Sequence, residues 1–192
     1  MNPVSTARRL HHYTHDEYAG ALELSNLKLE FWAGEIYAMA GGTPEHNALA
    51  SKVMALLDAR LPAGCRTFNS DMLVRISASD VTVFGDGQVV CGKIERSLIG
   101  KKVAILNPGL VVEVTSPSTE ACDRGEKLDQ YKSIKSLRAV WLVSHREPRV
   151  TVVERQKRTW RKTDYRSGAL VTLATPALTV DVDAIYRALD GL

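Results

Sequence analysis

The stretch Leu110-Val111-Val112-Glu113-Val114-Thr115-Ser116-Pro117-Ser118, running on through Asp123, Glu126 and Lys127 to Tyr131, decides the fold. Its first six residues are an apolar, β-branched run that reads as a strand buried on at least one face. Glu113 interrupts that run. A carboxylate there loses hydration, so it needs a cation or donors, or it must take up a proton. Alternation sends Glu113 and Thr115 to the face opposite Val112 and Val114, so the acid leaves the core side. Ser116-Pro117-Ser118 turns the chain. Asp123 is the expected N-cap of the next helix, Glu126 completes an acidic first turn, and Lys127 and Tyr131 share one face at i and i+4. Residues 139–144 (AVWLVS) are a second buried-strand run. Strand, helix of about three turns, strand is the spacing of a parallel pair with a right-handed crossover.

Upstream, Thr14 and Glu17 form a capping-box pattern opening a short helix through Leu22. Residues 27–31 and 35–39 predict a hairpin around Ala33-Gly34. Thr43-Pro44-Glu45 starts the best-patterned helix, with Leu49, Val53, Leu56, Leu57 and Leu61 at helical spacing before Pro62-Ala63-Gly64 ends it. Short strands are expected at 66–68, 72–76, 81–84 and 88–91, with Asp86 between Gly85 and Gly87. Residues 92–107 read as a charged surface connection. Downstream, 150–154 and 159–165 predict a closing antiparallel pair, and 180–189 a short terminal helix. Residues 1–13 read as a loose polar arm and 14–192 as one domain of mixed α/β class.

The 192 residues carry a net charge of +3, with 45% apolar and 24% charged side chains, an ordinary globular composition. The mildly basic balance permits a polyanionic partner without demanding one. Three cysteines, Cys65, Cys91 and Cys122, without C-x-x-C spacing suggest neither a disulfide framework nor a zinc knuckle. No secretory or membrane-spanning run is seen, so the expected compartment is the cytoplasm, with reduced thiols and no membrane partner.

Taken together, Glu30, Gly34-Glu35, His46, Asp86, the run Glu113 to Thr119, Asp123, Lys127, Tyr131 and Trp141-Leu142-Val143 resemble the Uma2 family. That family is often labelled "putative restriction endonuclease" and sits within the PD-(D/E)XK nuclease superfamily. The resemblance covers nearly the whole chain. It implies a restriction-endonuclease-like fold, a central mixed sheet flanked by helices with an N-terminal helix and hairpin, and metal-dependent cleavage of nucleic acid. Two departures stand out. Phe84-Gly85-Asp86-Gly87 replaces the family's Tyr-Pro-Asp, and Thr115 occupies the position two after the glutamate where the superfamily carries lysine. The lysine of Uma2-like sequences sits on the following helix, here Lys127.

On this resemblance, Asp86 and Glu113 are the carboxylate ligands of Mg²⁺ or Mn²⁺, and the Val114 carbonyl is the third. Hard cations of this kind take oxygen ligands and keep several waters. Lys127 is the catalytic ammonium, and Tyr131 a supporting hydrogen bonder or plain packing. Glu30 and Glu35 both remain candidates for an N-terminal acid, with Glu35 preferred for the metal. His46 and Gln88 are supporting candidates. The plain alternatives are a glutamate paired with arginine, a turn aspartate, and a surface lysine spaced from Asp123. Arg155, Arg158 and Arg161, interleaved with Trp160, are candidate nucleic-acid contacts or else one solvated hairpin face. The expected partner is DNA, and an exposed edge strand makes a homodimer the expected assembly. The competing reading is a catalytically silent fold that binds nucleic acid or dimerises. A small-molecule hydrolase ranks last, since no G-x-S-x-G is present.

Overall fold

In the computed structural model, which describes residues 12–39 and 41–192, the chain crosses between two six-stranded sheets at Gly85-Asp86. Residues 1–11 of the expected arm lie outside the described residues. The first sheet has the order β2-β1-β5-β4-β8-β7. Its strands are β1 (Leu29–Trp32), β2 (Glu35–Ala38), β4 (Leu73–Ile76), β5 (Val81–Phe84), β7 (Arg96–Ile99) and β8 (Lys102–Ile105). The second has the order β12-β11-β10-β9-β6-β3. It comprises β3 (Cys65–Asn69), β6 (Gly87–Cys91), β9 (Leu110–Val114), β10 (Ala139–Val143), β11 (Arg149–Gln156) and β12 (Thr159–Arg166). The β4–β8 and β9–β10 pairs are parallel, so both sheets are mixed.

Helices cover these sheets where the patterning demands it. The helix α1 (His15–Leu24) keeps the Thr14–Glu17 capping box and buries Tyr18 and Leu22 against Leu29, Phe31 and Phe84 of the first sheet. The longer α2 (Pro44–Asp58) is capped by Thr43 and lays Leu49, Val53 and Leu57 on Val112, Val114 and Trp141. The opposite face of β9 carries Val111 and meets Leu128 and Tyr131. Every residue of β9 is therefore buried. Glu113 leaves the α2 core, as alternation requires, but enters a second buried face rather than solvent.

Five expectations are corrected. Residues 92–107 are not a mere connection, since they hold the hairpin β7–β8, which extends the first sheet. The expected three-turn helix is two short ones, α3 (Glu120–Arg124) and α4 (Glu126–Lys132), broken at Gly125. A Cβ at Gly125 would lie 2.9 Å from the Ala121 carbonyl oxygen, so only glycine fits that break. Asp123 consequently sits inside α3, buried, and Thr119 holds the N-cap position. Cys65 and Cys91 are cross-strand partners and form a disulfide, a pairing that sheet register creates across 26 residues of sequence. Finally, Val180 and Asp181 belong to an unforeseen hairpin, β13 (Leu170–Ala174) and β14 (Ala177–Asp181). The terminal helix α5 (Val182–Tyr186) starts only after it, capped by the Asp181 side chain.

Candidate active site

The crossover at Gly85-Asp86 brings together side chains from both sheets and from α4. From the first sheet comes Glu30 on β1, 7% exposed. Its Oε1 accepts the Phe84 amide at 2.9 Å and its Oε2 the Trp32 indole N–H at 3.2 Å. From the second comes Glu113 on β9. Lys127, on α4, donates to the Phe84 carbonyl at 2.8 Å and lies 3.3 Å from Glu30 Oε1 and 3.2 Å from Glu113 Oε1. Three acceptors thus surround an ammonium with three protons. Tyr131, one turn on, donates its hydroxyl to Glu113 Oε1 at 2.6 Å.

Asp86 stands at the mouth of this cluster. Its Oδ2 accepts the Val114 amide at 2.7 Å and lies 3.2 Å from His46 Nε2. The flanking glycines have a packing reason. A Cβ at Gly87 would fall 2.1 Å from Met54 Sδ, and one at Gly85 would meet Gln88 at 3.0 Å and the Tyr131 hydroxyl at 3.3 Å. Gln88 donates to the Gly85 carbonyl at 3.0 Å, and its Oε1 is buried without a partner among the described residues.

Charge explains the titration behaviour. Glu30, Asp86, Glu113 and Asp123 crowd one ammonium and one imidazole. Burial pushes the Glu113 carboxyl up to about 8; Lys127 opposes this, while Asp86 and Asp123 reinforce it. Burial also raises Asp123. Lys127 is itself held well above the usual lysine value, because Glu113, Glu30 and Asp123 outweigh its desolvation. The hydrogen bond to Asp86 raises His46. With more acids than cations in a dry site, one carboxylate keeps its proton and the ammonium keeps its own.

Several expected residues sit elsewhere. Glu35, preferred from sequence for the metal, bonds the Tyr37 hydroxyl on β2, whereas Glu30 is the acid brought to Lys127. Two-residue spacing on a hairpin could not separate the two, because Trp32↔Glu35 and Glu30↔Tyr37 are both cross-strand pairs. Arg155, expected among the nucleic-acid contacts, is engaged within the fold. It donates to the Leu137, Lys132 and Ile134 carbonyls at 2.8, 3.0 and 2.8 Å and stacks on Trp160. Arg161 pairs with Glu154 at 2.9 Å, and Arg158 is exposed in the β11–β12 turn. Asp123 is the functional candidate that sequence reading missed by making it a cap. Its i, i+4 spacing to Lys127 was the available signal.

The Uma2 profile, described as "putative restriction endonuclease", matches residues 15–183. The chain belongs to the Uma2 family. Two Synechocystis sp. proteins are similar over most of their length. One, "Uncharacterized protein slr1290", is 32% identical over 91% of this chain and 91% of its own. The other, "Uncharacterized protein sll1609", is 31% identical over 74% and 79%. A crystal structure described as a putative nuclease belonging to DUF820, from Anabaena variabilis, superposes with a TM-score of 0.73 at 20% identity, covering 92% of this chain and 99% of that one. The Uma2 chain thus has a restriction-endonuclease-like fold, and its family places it coarsely among nucleases. No helix among the described residues is long and apolar enough to cross a membrane.

Proposed function

We propose that this Uma2 chain is a metal-dependent endonuclease hydrolysing phosphodiester bonds, DNA being the substrate. The observation that carries the proposal is the convergence of Glu30, Glu113 and Lys127 beside Asp86 where the two sheets meet.

The residues fit a divalent cation. Glu113 spends Oε1 on Tyr131 and Lys127, and Asp86 spends Oδ2 on Val114 and His46, so each has a second oxygen to offer. The surplus of carboxylates over cations calls for further positive charge. Asp86, Glu113 and the Val114 carbonyl would hold Mg²⁺ or Mn²⁺, a set of hard oxygens suited to either. No three His, Cys, Asp or Glu side chains are gathered for a metal among the described residues, so the site would rest on two carboxylates, a carbonyl and water. When bound, the cation neutralises phosphate charge and acidifies an attacking water. Lys127 presents fixed positive charge to the developing phosphorane. Tyr131 fixes the Glu113 side chain, and Glu30 ties the end of β5, and so the start of the crossover, to β1.

Supercoiled plasmid and single-stranded DNA, incubated with Mn²⁺ or Mg²⁺, test the proposal. Glu113→Gln and Lys127→Ala should each lower cleavage by about a hundredfold or more. Full activity in either variant refutes the roles assigned. The silent-fold reading gains its support from the missing three-ligand cluster, and calorimetry showing no Mn²⁺ binding to the wild type would favour it. Pairing of two copies along the β12 edge is part of the proposal for duplex cleavage, and light scattering in solution checks it.

A further inference from the structure

We infer that the cavity beyond the carboxyl ends of β9 and β10 is a phosphate subsite for the nucleic-acid strand, with Arg146 and Arg187 as its contacts. The inference rests on the nuclease reading above and deepens it by saying where the strand runs beside the acidic cluster. The cavity measures about 390 Å³ and lies between the β10–β11 turn and the α5 end of the chain, with His145, Arg146, Tyr186 and Arg187 in its wall. Strands β9 and β10 are parallel, with Val143 opposite Val114. A crevice outside the carboxyl ends of parallel strands is where such sheets take ligands. His145 joins the cavity to the site, since its Nδ1 lies 3.0 Å from the hydroxyl of Thr115, which follows Val114.

The uncommitted donors there are cationic. Arg146 is tethered through Nε, 3.0 Å from Glu120 Oε2, and its terminal amino groups make no hydrogen bond among the described residues. The other Glu120 oxygen lies 2.9 Å from Arg124 Nε, so one carboxylate fixes two guanidiniums. The Arg146 side chain is still 61% exposed, which leaves a fork of N–H groups held by its tether and open to an anion. Arg187, just past α5, is exposed, and its side chain makes no hydrogen bond or ion pair among the described residues. The acids of the rim are mostly spent. Glu147 is held by Arg149 at 3.3 Å and Arg166 at 2.7 Å, and Asp183 accepts the Gly168 amide at 2.9 Å. Asp190 is the rim acid without such a partner among the described residues. Two uncommitted guanidiniums thus stand against one uncommitted carboxylate. A phosphodiester offers paired oxygens to an arginine fork, and a fork already tethered loses less freedom on binding it.

Fluorescence anisotropy of a labelled short DNA duplex tests this in EDTA, where binding is read without divalent cations or cleavage. Affinity is followed against salt concentration for wild type, Arg146→Ala, Arg187→Ala, Arg146→Lys and Glu120→Ala. Both arginines are exposed, so their variants should fold, and thermal melts check that they do. Each alanine in place of arginine should weaken binding and lower the salt slope by about one. Arg146→Lys keeps the charge, so it should keep the slope and still lose affinity, because an ammonium has no fork to offer. Glu120→Ala separates orientation from charge. It makes the protein more positive, which by itself would tighten binding, yet releasing Arg146 should weaken it. Wild-type slopes and affinities in both alanine variants overturn the subsite and leave the nuclease reading standing. Tighter binding by Glu120→Ala overturns the oriented fork in the same way. A wild type that binds no DNA at low salt removes the nucleic-acid reading, and the subsite with it.

Discussion

The two flanks of the acidic cluster differ in their access to water. Under α4, Glu113, Lys127 and Tyr131 are 4%, 5% and 0% exposed, and Lys127 is shared between Glu113 and Glu30 inside the protein. At the mouth, the Asp86 and His46 side chains keep 18% or less of their surface, but they retain more solvent than the inner group and face a crossover rather than a covering helix. The inner flank is built like a core that happens to be charged, while the outer flank keeps some contact with solvent. The difference assigns distinct costs to substitutions only a few ångströms apart.

Lys127→Ala should produce the largest effect. Removing one partner of a buried pair leaves uncompensated charge, at a cost of roughly 3–5 kcal/mol. Urea unfolding at pH 8 should show a loss of that size, shrinking at pH 5, where Glu113 holds its proton. His46→Gln on the outer flank should cost under about 1 kcal/mol. Equal losses at the two positions would erase the distinction.

The pH dependence sharpens the same contrast. The Glu113 carboxyl moves from 4.5 to about 8 on folding. Between those values the folded state holds a proton that the unfolded chain has released, so stability falls as pH rises through the window. Glu113→Gln mimics the neutral acid and should remove a share of that slope worth roughly 3–5 kcal/mol across the window. Asp123 and His46 are raised as well and contribute in the same direction, so the wild-type minus Glu113→Gln difference is the quantity to follow. Identical slopes would mean that Glu113 is ionised throughout.

What was legible in sequence follows the same physics. Caps and periodicity are local, so Thr14, Thr43, the βαβ unit and the Lys127–Tyr131 face could be read directly. The β7–β8 hairpin escaped because Ile99, Ala104 and Ile105 are its main buried residues, while Lys93, Glu95, Arg96, Lys101 and Lys102 give it the look of a loop. The helix break depended on a single close approach, Gly125 to the Ala121 carbonyl, which leaves no periodic trace. At the site, residue types were visible but the choice of Glu30 over Glu35 was not. It depends on β1 lying against β5, a pairing between strands about fifty residues apart. On the basic hairpin, charge counts could not reveal that Arg155 donates to three backbone carbonyls.

That use makes Arg155 a remote support of the inner flank. Its guanidinium ties down the Lys132 and Ile134 carbonyls at the end of α4, the helix that carries Lys127 and Tyr131. Arg155→Ala should cost about 2 kcal/mol through unpaired carbonyls and lost stacking on Trp160. The salt dependence of DNA binding should stay as in the wild type, whereas Arg158→Ala should flatten it. A flattened salt slope in Arg155→Ala would return this residue to the nucleic-acid surface.

Tyr131→Phe is the finest probe, because it deletes one oxygen from the inner flank and nothing else. The bond lost is 2.6 Å long and made to a carboxylate, yet Lys127 still holds the same Glu113 oxygen, so the cost should be about 1–2 kcal/mol. Its sign with pH matters more than its size. The phenol donates to the ionised carboxylate, so deleting it raises Glu113 further. The loss should therefore be small at pH 5, where Glu113 is protonated in either protein, and grow as pH rises past 8. Wild-type and Tyr131→Phe unfolding curves that stay parallel from pH 5 to pH 9 would show that the hydroxyl does not discriminate between the two charge states, and Tyr131 would then be packing alone.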